Sequence, residues 1–365
     1  MQPGHQMKIL IFQKPAIGDV LLATPLIHSI RNRHPDAIID LMLTNGQEGI
    51  VEGNRDIDRV IAVAPRPGFR ELYGLVRKLW RKYDIAISNG ADDRAYFFIW
   101  LFGKKRVAVS LDKSAAWKHR ITYATVKNEE VTHALLRNNA LGNLLGYESC
   151  FTVVPPRIDS KAGGATPLTD LINFGSRYAV LHLDARLPYK RWHTDGWSDV
   201  AHYLAGEGIN LYLTGGSGEG EHRYLRSAMD SMPASTVDLS GKLRFAEVSE
   251  LIANCDIYVG IDTVNSHIAG AQGARAVVLF GPEDPRRWGP WPKGFESSAS
   301  PWKSNGSQRI GNVMVVQAQA ACDTCEKGKC AKERFRGTDC PSMLNITSEQ
   351  VINGISEMLA ETAGP

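Results

Sequence analysis

Residues 256–291 read DIYVGIDTVNSHIAGAQGARAVVLFGPEDPRRWGPW. Asp256–Ile261 is a short apolar run with the composition of a buried strand. Thr263–Gln272 carries helical spacing, and Arg275–Phe280 is again a strand. Strand, helix and strand in so short a span make the repeating unit of a parallel sheet. At the joint, Gly260-Ile261-Asp262-Thr263 runs into a helix with Asn265, Ser266 and His267 in its first turns. Backbone N–H groups at such a helix start form an anion site, and Asp262 is placed to bond a sugar or the helix-start donors. Phe280-Gly281-Pro282-Glu283-Asp284-Pro285 and Trp288-Gly289-Pro290-Trp291 follow. Their density of Pro, Gly and Trp describes a rigid loop. A lone His is more often a packed core residue than a catalyst, and His267 carries both readings.

The same alternation extends outward in both directions. Toward the C-terminus only the amphipathic helix Ser348–Glu361 is read, with Thr347 or Ser348 as its cap. Toward the N-terminus, Tyr178–Leu183 and Asn210–Thr214 read as strands, and Asp195–Gly206, Gly220–Met232 and Phe245–Asn254 as helices. Pro155-Pro156 and Gly163-Gly164 then mark a stretch of weak periodicity with linker composition. Before it, Lys8–Gln13, Ile38–Leu43, Arg59–Ala64, Tyr83–Ser88 and Arg106–Ser110 are strands. Val20–Arg33, Phe69–Lys82 and His133–Gly146 are helices. The expectation is an α/β chain of two Rossmann-like, doubly wound domains facing a cleft. The N-terminal domain covers 1–155, a linker 156–176, the C-terminal domain 177–346 and a final helix and tail 347–365. Ligands of such sheets bind beyond the carboxyl ends of the strands.

Composition narrows the function. The 365 residues are 43% hydrophobic and 22% charged, an ordinary globular balance. The net charge of +3 does not point to a nucleic-acid binder. It is unevenly spread: residues 1–150 hold 21 Lys and Arg against 15 Asp and Glu, and the remainder 21 against 24. The N-terminal half is thus suited to an acidic partner. The strongest apolar run, Ala95–Phe102, is far shorter than the roughly 20 residues a spanning helix needs. No charged-then-apolar signal opens the chain, so a cytoplasmic protein is expected. Its six Cys are then not a disulfide framework. Four of them, Cys322, Cys325, Cys330 and Cys340, fit either a tetrahedral Zn or Fe site or free thiols or a disulfide. Cys150 and Cys255 read as core residues.

Three further loops follow strands. Lys14-Pro15-Ala16-Ile17-Gly18-Asp19-Val20 lacks the glycines of a dinucleotide fingerprint. Asp19 either caps the helix or stands at the mouth of the cleft as a general base. Asp184-Ala185-Arg186-Leu187-Pro188-Tyr189-Lys190-Arg191-Trp192 offers three cations to an anion such as a diphosphate, or is a solvated basic loop pinned by Trp192 and Trp197. Thr214-Gly215-Gly216-Ser217-Gly218-Glu219-Gly220-Glu221 is either a flexible turn or a close approach to a ligand, with Glu219 or Glu221 on a ribose hydroxyl.

Taken in order, Ile17-Gly18-Asp19, Lys190-Arg191-Trp192, Leu213-Thr214-Gly215-Gly216, Asp262-Thr263…His267 and Phe280-Gly281-Pro282…Asp284-Pro285 resemble the family 9 glycosyltransferases, the ADP-heptose:lipopolysaccharide heptosyltransferases. The resemblance covers roughly residues 8–361. It implies a GT-B fold with the acceptor on the N-terminal domain and the nucleotide-sugar donor on the C-terminal one. It also implies inverting transfer with no catalytic metal. Asp19 matches the family's base, Lys190 its donor-phosphate lysine, Asp262 and Thr263 the start of the donor helix, and His267 its histidine. Val264 stands where the family usually has Gly. A branched Cβ there limits the backbone and fills space near the diphosphate.

The implied activity moves a sugar, heptose from ADP-heptose, onto a hydroxyl of a lipopolysaccharide-core-like acceptor. Asp19 takes the hydroxyl proton, while Lys190, Arg186 and the helix start near Thr263 meet the leaving diphosphate. Glu219, Glu221, Val264 and His267 complete the donor side, and Gly18, Arg77 and Arg81 the acceptor side. The implied partner is an anionic glycolipid at the inner face of the cell membrane, which brings peripheral membrane contact. For Arg70, Arg77, Lys78, Arg81 and Lys82 a solvated helix face is an equal reading. Two other functions fit the same pattern: another GT-B enzyme such as a sugar-nucleotide epimerase, and a non-catalytic sugar-nucleotide-binding protein.

Overall fold

The computed structural model describes residues 6–13, 16–111, 116–127, 132–158, 168–216, 218–319 and 340–360. It divides into two units: Met1–Val154 with Glu296–Ser300, and Pro155–Phe295 with Pro301–Pro365.

The first unit is built on β1 (Lys8–Phe12), β2 (Ile38–Thr44), β3 (Arg59–Val63), β4 (Tyr83–Ser88), β5 (Gly103–Ser110) and β6 (Ala124–Lys127). All pair in parallel, in the order β3-β2-β1-β4-β5-β6. Ile9, Leu10 and Ile11 of β1 are wholly buried, as a strand covered on both faces must be. One face carries helices Phe69–Leu79 and Asp93–Phe102, whose Leu79, Phe98 and Phe102 pack on Leu10, Phe12 and Ala86. Thr24–Arg33 packs against Ala134–Asn143.

The single helix expected over Val20–Arg33 is two: Ile17–Leu21 and Thr24–Arg33. Pro25 explains the break. It has no N–H to give the Leu21 carbonyl, and the Thr24 hydroxyl donates to that carbonyl instead, at 2.7 Å. The Asn138 amide donates to the next carbonyl, Leu22, at 3.0 Å.

The second unit holds β7 (Tyr178–His182), β8 (Asn210–Thr214), β9 (Val237–Asp238), β10 (Ile257–Ile261), β11 (Ala276–Leu279), β12 (Gln308–Ile310) and β13 (Val313–Val316). Their order is β12-β13-β11-β10-β7-β8-β9. Only the β12–β13 pair is antiparallel. That hairpin, not foreseen from the sequence, turns on Gly311-Asn312, with Gly311 at φ 55°. Two-residue hairpin turns favour such residues because they require positive φ. Helix Ser348–Ala360 closes the sheet with buried Val351, Ile355 and Met358. Its cap is Thr347: the hydroxyl accepts from Gln350 N at 3.2 Å, while the Gln350 side chain accepts from Thr347 N at 3.0 Å.

In both sheets the central order reverses beside the first strand, between β1 and β4 and between β7 and β10. Open α/β sheets bind ligands at that switch point, beyond the carboxyl ends of the strands.

Candidate functional site

In the first unit the switch point is polar and buried. Gln13, just after β1, accepts a hydrogen bond from the Asn89 amide, just after β4. Asp19 is the third residue of helix Ile17–Leu21 and is 6% exposed. The helix's N-cap position is Ala16, and no side chain caps it. Asp19 is therefore not the cap, while its place in the first turn suits the helix dipole. Its Oδ1 lies 3.7 Å from an Arg137 amino nitrogen, and Arg137 is fully buried. That Oδ1 accepts no hydrogen bond among the described residues. An ionised carboxylate only accepts hydrogen bonds, so the unused oxygen offers an acceptor to a hydroxyl donor. Gly18 directly precedes it in the same helix. Arg77 and Arg81 are not brought to this place. The helix Phe69–Leu79 runs from the carboxyl end of β3 back to the amino end of β4, so Arg77 near its end and Arg81 beyond it sit at the opposite edge of the sheet.

In the second unit the loop after β7 folds into one short turn, Pro188–Lys190. Trp192 and Trp197 fix it. Both are buried, and the Trp192 indole donates to the Ile346 carbonyl at 2.8 Å. A Cβ on Gly196 would fall 2.5 Å from the Trp192 ring, so only glycine fits there. Asp184 and Arg191 form a two-pronged ion pair at 2.6 and 3.2 Å. Burial pushes the Asp184 carboxyl upward, and Arg191 opposes that shift.

Lys190 points to the end of β10. Its ammonium donates to Asp262 Oδ2 at 2.5 Å and to the Asp262 carbonyl at 3.3 Å. Burial opposes the lysine's charge, but the Asp262 and Glu283 carboxylates outweigh it and hold the pKa above the ordinary value. A lysine has three donors, so one remains beyond these two bonds. Arg186 is exposed and shares in none of these contacts.

Thr263 is the N-cap of helix Val264–Gln272, yet its side chain makes no cap hydrogen bond. Ser266 roots this helix start: its hydroxyl donates to the Ile261 carbonyl at 2.6 Å and meets the Tyr258 hydroxyl at 3.1 Å. Gly260 leaves room for that tyrosine, since a Cβ would lie 2.3 Å from its oxygen. Val264 is the first helical residue. Helical dihedrals are among those a branched residue adopts, so valine is accommodated at this position.

His267 is buried, its pKa lowered to about 4 by burial and by the Lys190 charge. Its Nδ1 has no hydrogen-bond partner among the described residues. His182, at the end of β7, is likewise lowered to about 4 by burial. His182 Nδ1 lies 2.9 Å from the Asn265 amide nitrogen and 3.0 Å from the Thr214 hydroxyl. Both rings are neutral at pH 7. Lys190, Asp262, Thr263 and His267 are thus brought together. Glu219 is exposed at the first residue of helix Glu219–Met229 and takes no part; of Glu221 only its place in that helix is described.

Arg137 and His182 escaped the sequence reading. Arg137 left one signal, a charge directly after the apolar run Ala134-Leu135-Leu136. Cys322, Cys325 and Cys330 lie outside the described residues; Cys340 is buried at the N-cap of helix Pro341–Leu344. No cluster of three or more His, Cys, Asp or Glu able to hold a metal occurs among the described residues. Cys150 and Cys255, expected in the core, are half-buried. No helix among the described residues is long and apolar enough to cross a membrane.

Comparison with known proteins bears directly on these loops. The chain is similar to lipopolysaccharide heptosyltransferase 3 of Escherichia coli, 27% identical over 289 residues, covering 75% of this chain and 83% of that one. In structure it is similar to a glycosyl transferase family 9 protein of Veillonella parvula (TM-score 0.77, 19% identity, 97% of each chain). It is also similar to the ADP-heptose lps heptosyltransferase II of Escherichia coli (TM-score 0.74, 18% identity, 98% of this chain and 100% of that one). The fold of its two parallel-sheet units is GT-B. The sequence model of glycosyltransferase family 9 (heptosyltransferase) matches residues 72–311, a span that holds Lys190, Asp262 and His267, and the chain belongs to that family of glycosyltransferases.

Proposed function

We propose that this chain transfers heptose from ADP-heptose to a hydroxyl of a lipopolysaccharide-core-like, anionic glycolipid acceptor, with inversion at the anomeric carbon. The observation that carries the reading is the convergence of a half-buried, charged Lys190, an uncapped helix start at Thr263 and neutral His267 on one spot at a switch point. Such a set suits a diphosphate: a fixed cation, exposed backbone donors, and a ring able to donate one hydrogen bond without adding charge. Asp262 orients Lys190. As the acceptor oxygen forms its bond to the anomeric carbon, the bond to the diphosphate oxygen breaks, and charge develops where Lys190 and the helix start stand. Asp19, in the first unit, takes the acceptor's proton, and Arg137 balances its charge. The first domain is the acceptor side and the second the donor side in this reading. The work proceeds beside the membrane that holds the acceptor.

The relatives' printed activities support the choice of ADP-heptose. Lys190→Ala tests it. Losing a charged hydrogen bond costs about 1.5–3 kcal/mol, or roughly 10–100-fold in donor affinity. Calorimetry with ADP-heptose, together with acceptor-dependent ADP release, reads the effect. Unchanged affinity in the variant overturns the donor site. ADP-heptose binding without acceptor-dependent release identifies a binding protein, and release of ADP without any glycan points to an epimerase-like enzyme. The spacing of Cys322, Cys325, Cys330 and Cys340 belongs to the same proposal as a structural Zn or Fe site. Metal analysis of the purified chain checks it, with one ion per chain expected.

A further inference from the structure

The first unit exposes aromatic side chains that the folding of the sheet does not use. On helix Phe69–Leu79, Phe69 is 94% exposed and Tyr73 69%, and Trp80, just past its end, is 52% exposed. At 100° per residue these three fall within a sector of about 40° on one flank of the helix. The adjoining flank, centred about 90° away, holds Leu72, Leu75, Val76 and Leu79, which pack on the sheet. The stripe continues onto the neighbouring helix. The Trp80 and Trp100 rings meet edge to face at 6.2 Å, and Phe97 lies 6.3 Å from Trp100. Both of these are more than a third exposed.

The junction between the two helices is fixed. Arg81 takes the left-handed conformation, φ 49°, and its N–H donates to the Leu101 carbonyl at 3.0 Å. Trp80 is thereby held beside the last turn of helix Asp93–Phe102.

Cations surround the aromatics. Residues 66–82 contain Arg66, Arg70, Arg77, Lys78, Arg81 and Lys82 against a single carboxylate, Glu71. Glu71 is turned inward and accepts from Ala64 N at 3.0 Å. The next acid along the chain, Asp84, is paired with Lys104 at 2.9 Å. The local field is therefore positive and little offset. Exposed Trp, Tyr and Phe on one flank of a helix, with Arg and Lys around them, are the arrangement of a helix that lies in a membrane interface. The aromatic rings rest at headgroup depth and the cations meet anionic phosphates.

We propose that this face of the first unit docks on an anionic lipid bilayer, with helix Phe69–Leu79 parallel to the surface and Tyr73, Trp80 and Trp100 as its aromatic anchors. A nonspecific acidic surface would use the cations and leave the rings without a role. A second copy of the chain would bring one positive face against another. The proposal does not depend on the donor site: it concerns a different edge of the molecule from Asp19 and a different unit from Lys190.

Cosedimentation of the full chain with vesicles tests it, using phosphatidylcholine alone and phosphatidylcholine mixed with phosphatidylglycerol. Binding is expected to the mixed vesicles only, and to weaken with added salt. Lys78→Gln with Lys82→Gln, the first exposed and the second half-buried, should weaken it on the order of 25-fold, about fivefold for each cation removed. Tyr73→Ser with Trp80→Ser should abolish cosedimentation at the same lipid concentration, with the melting temperature serving as the check on folding. Equal binding to neutral and mixed vesicles, or binding unchanged in both double variants, overturns the proposal. So does self-association, seen by analytical ultracentrifugation, that is lost in the Tyr73 and Trp80 variant while no vesicle binds. The charge variant reports independently should the aromatic variant fail to fold.

Discussion

The two sheets of this chain share a central strand order and differ in what stands at their switch points. Between β1 and β4 there is a carboxylate, Asp19, balanced by the buried Arg137. Between β7 and β10 there is an ammonium, Lys190, balanced by Asp262, with two neutral histidines close by. Each ion pair lies at the switch point of its own sheet. Topology fixes where a site can be; the loop residues decide which charge it offers.

The largest expected effect divides the two switch points by kinetics. Asp19→Asn keeps the shape and removes the proposed base, so kcat should fall about 10²–10⁴-fold while affinity for the proposed donor, ADP-heptose, stays as it was. Lys190→Ala should show the reverse emphasis, with affinity lost first. Steady-state rates combined with calorimetry separate the pair. An Asp19→Asn variant that turns over at the normal rate ends the contrast.

Next is stability at the first switch point. Removing one partner of a buried ion pair leaves the other uncompensated and costs about 3–5 kcal/mol. Arg137→Met should lower urea stability by that amount, and adding Asp19→Asn should return part of it. If the double variant is no more stable than Arg137→Met alone, the two residues are not a pair.

The smallest effect belongs to the second unit and is read by pH. His182 and His267 have folded pKa values of about 4, below the ordinary 6.5. Between those values the unfolded chain binds more protons than the folded one. Stability therefore declines as pH falls from 6.5 to about 4 and is level below that. Hydrogen exchange across this range should show β7 and β10 losing protection, with β1 and β4 little changed. His182→Gln with His267→Gln should flatten the decline. Equal losses in both sheets would mean that the sensitivity lies elsewhere.

Much of this was legible in the sequence because parallel strands buried on both faces are short apolar runs, and β1, β7 and β10 are of that kind. Lys190, Asp262 and His267 stood out because they lie in the segments that follow β7 and β10, Asp262 directly, Lys190 in the loop and His267 in the helix. Arg137 did not, since its meaning lies in Asp19, more than a hundred residues earlier. Helix Asp93–Phe102 is apolar nearly all round, AYFFIWLF over 95–102, and so has no polar face to reveal its period. The β12–β13 hairpin did carry a signal in Gly311-Asn312, which the expectation of a purely parallel sheet obscured. The placing of Arg77 and Arg81 failed for a directional reason. A crossover helix ends at the edge of the sheet opposite the one where it began, so residues at its end are carried away from the site.

Helix Ser348–Ala360 gives the order of synthesis a consequence. The first sheet's strands and covering helices emerge from the ribosome in succession, and each finds its neighbours already made. The second sheet has all its strands by Val316 but lacks the helix that buries Met314, Val277 and Val316 until residues 348–360 follow. Trp192 likewise waits for the Ile346 carbonyl. During that interval a nearly complete sheet presents an uncovered apolar face, the kind of surface on which nascent chains aggregate or recruit chaperones. A ribosome stalled between Val316 and Ser348 would therefore display a folded first half and a sticky second one.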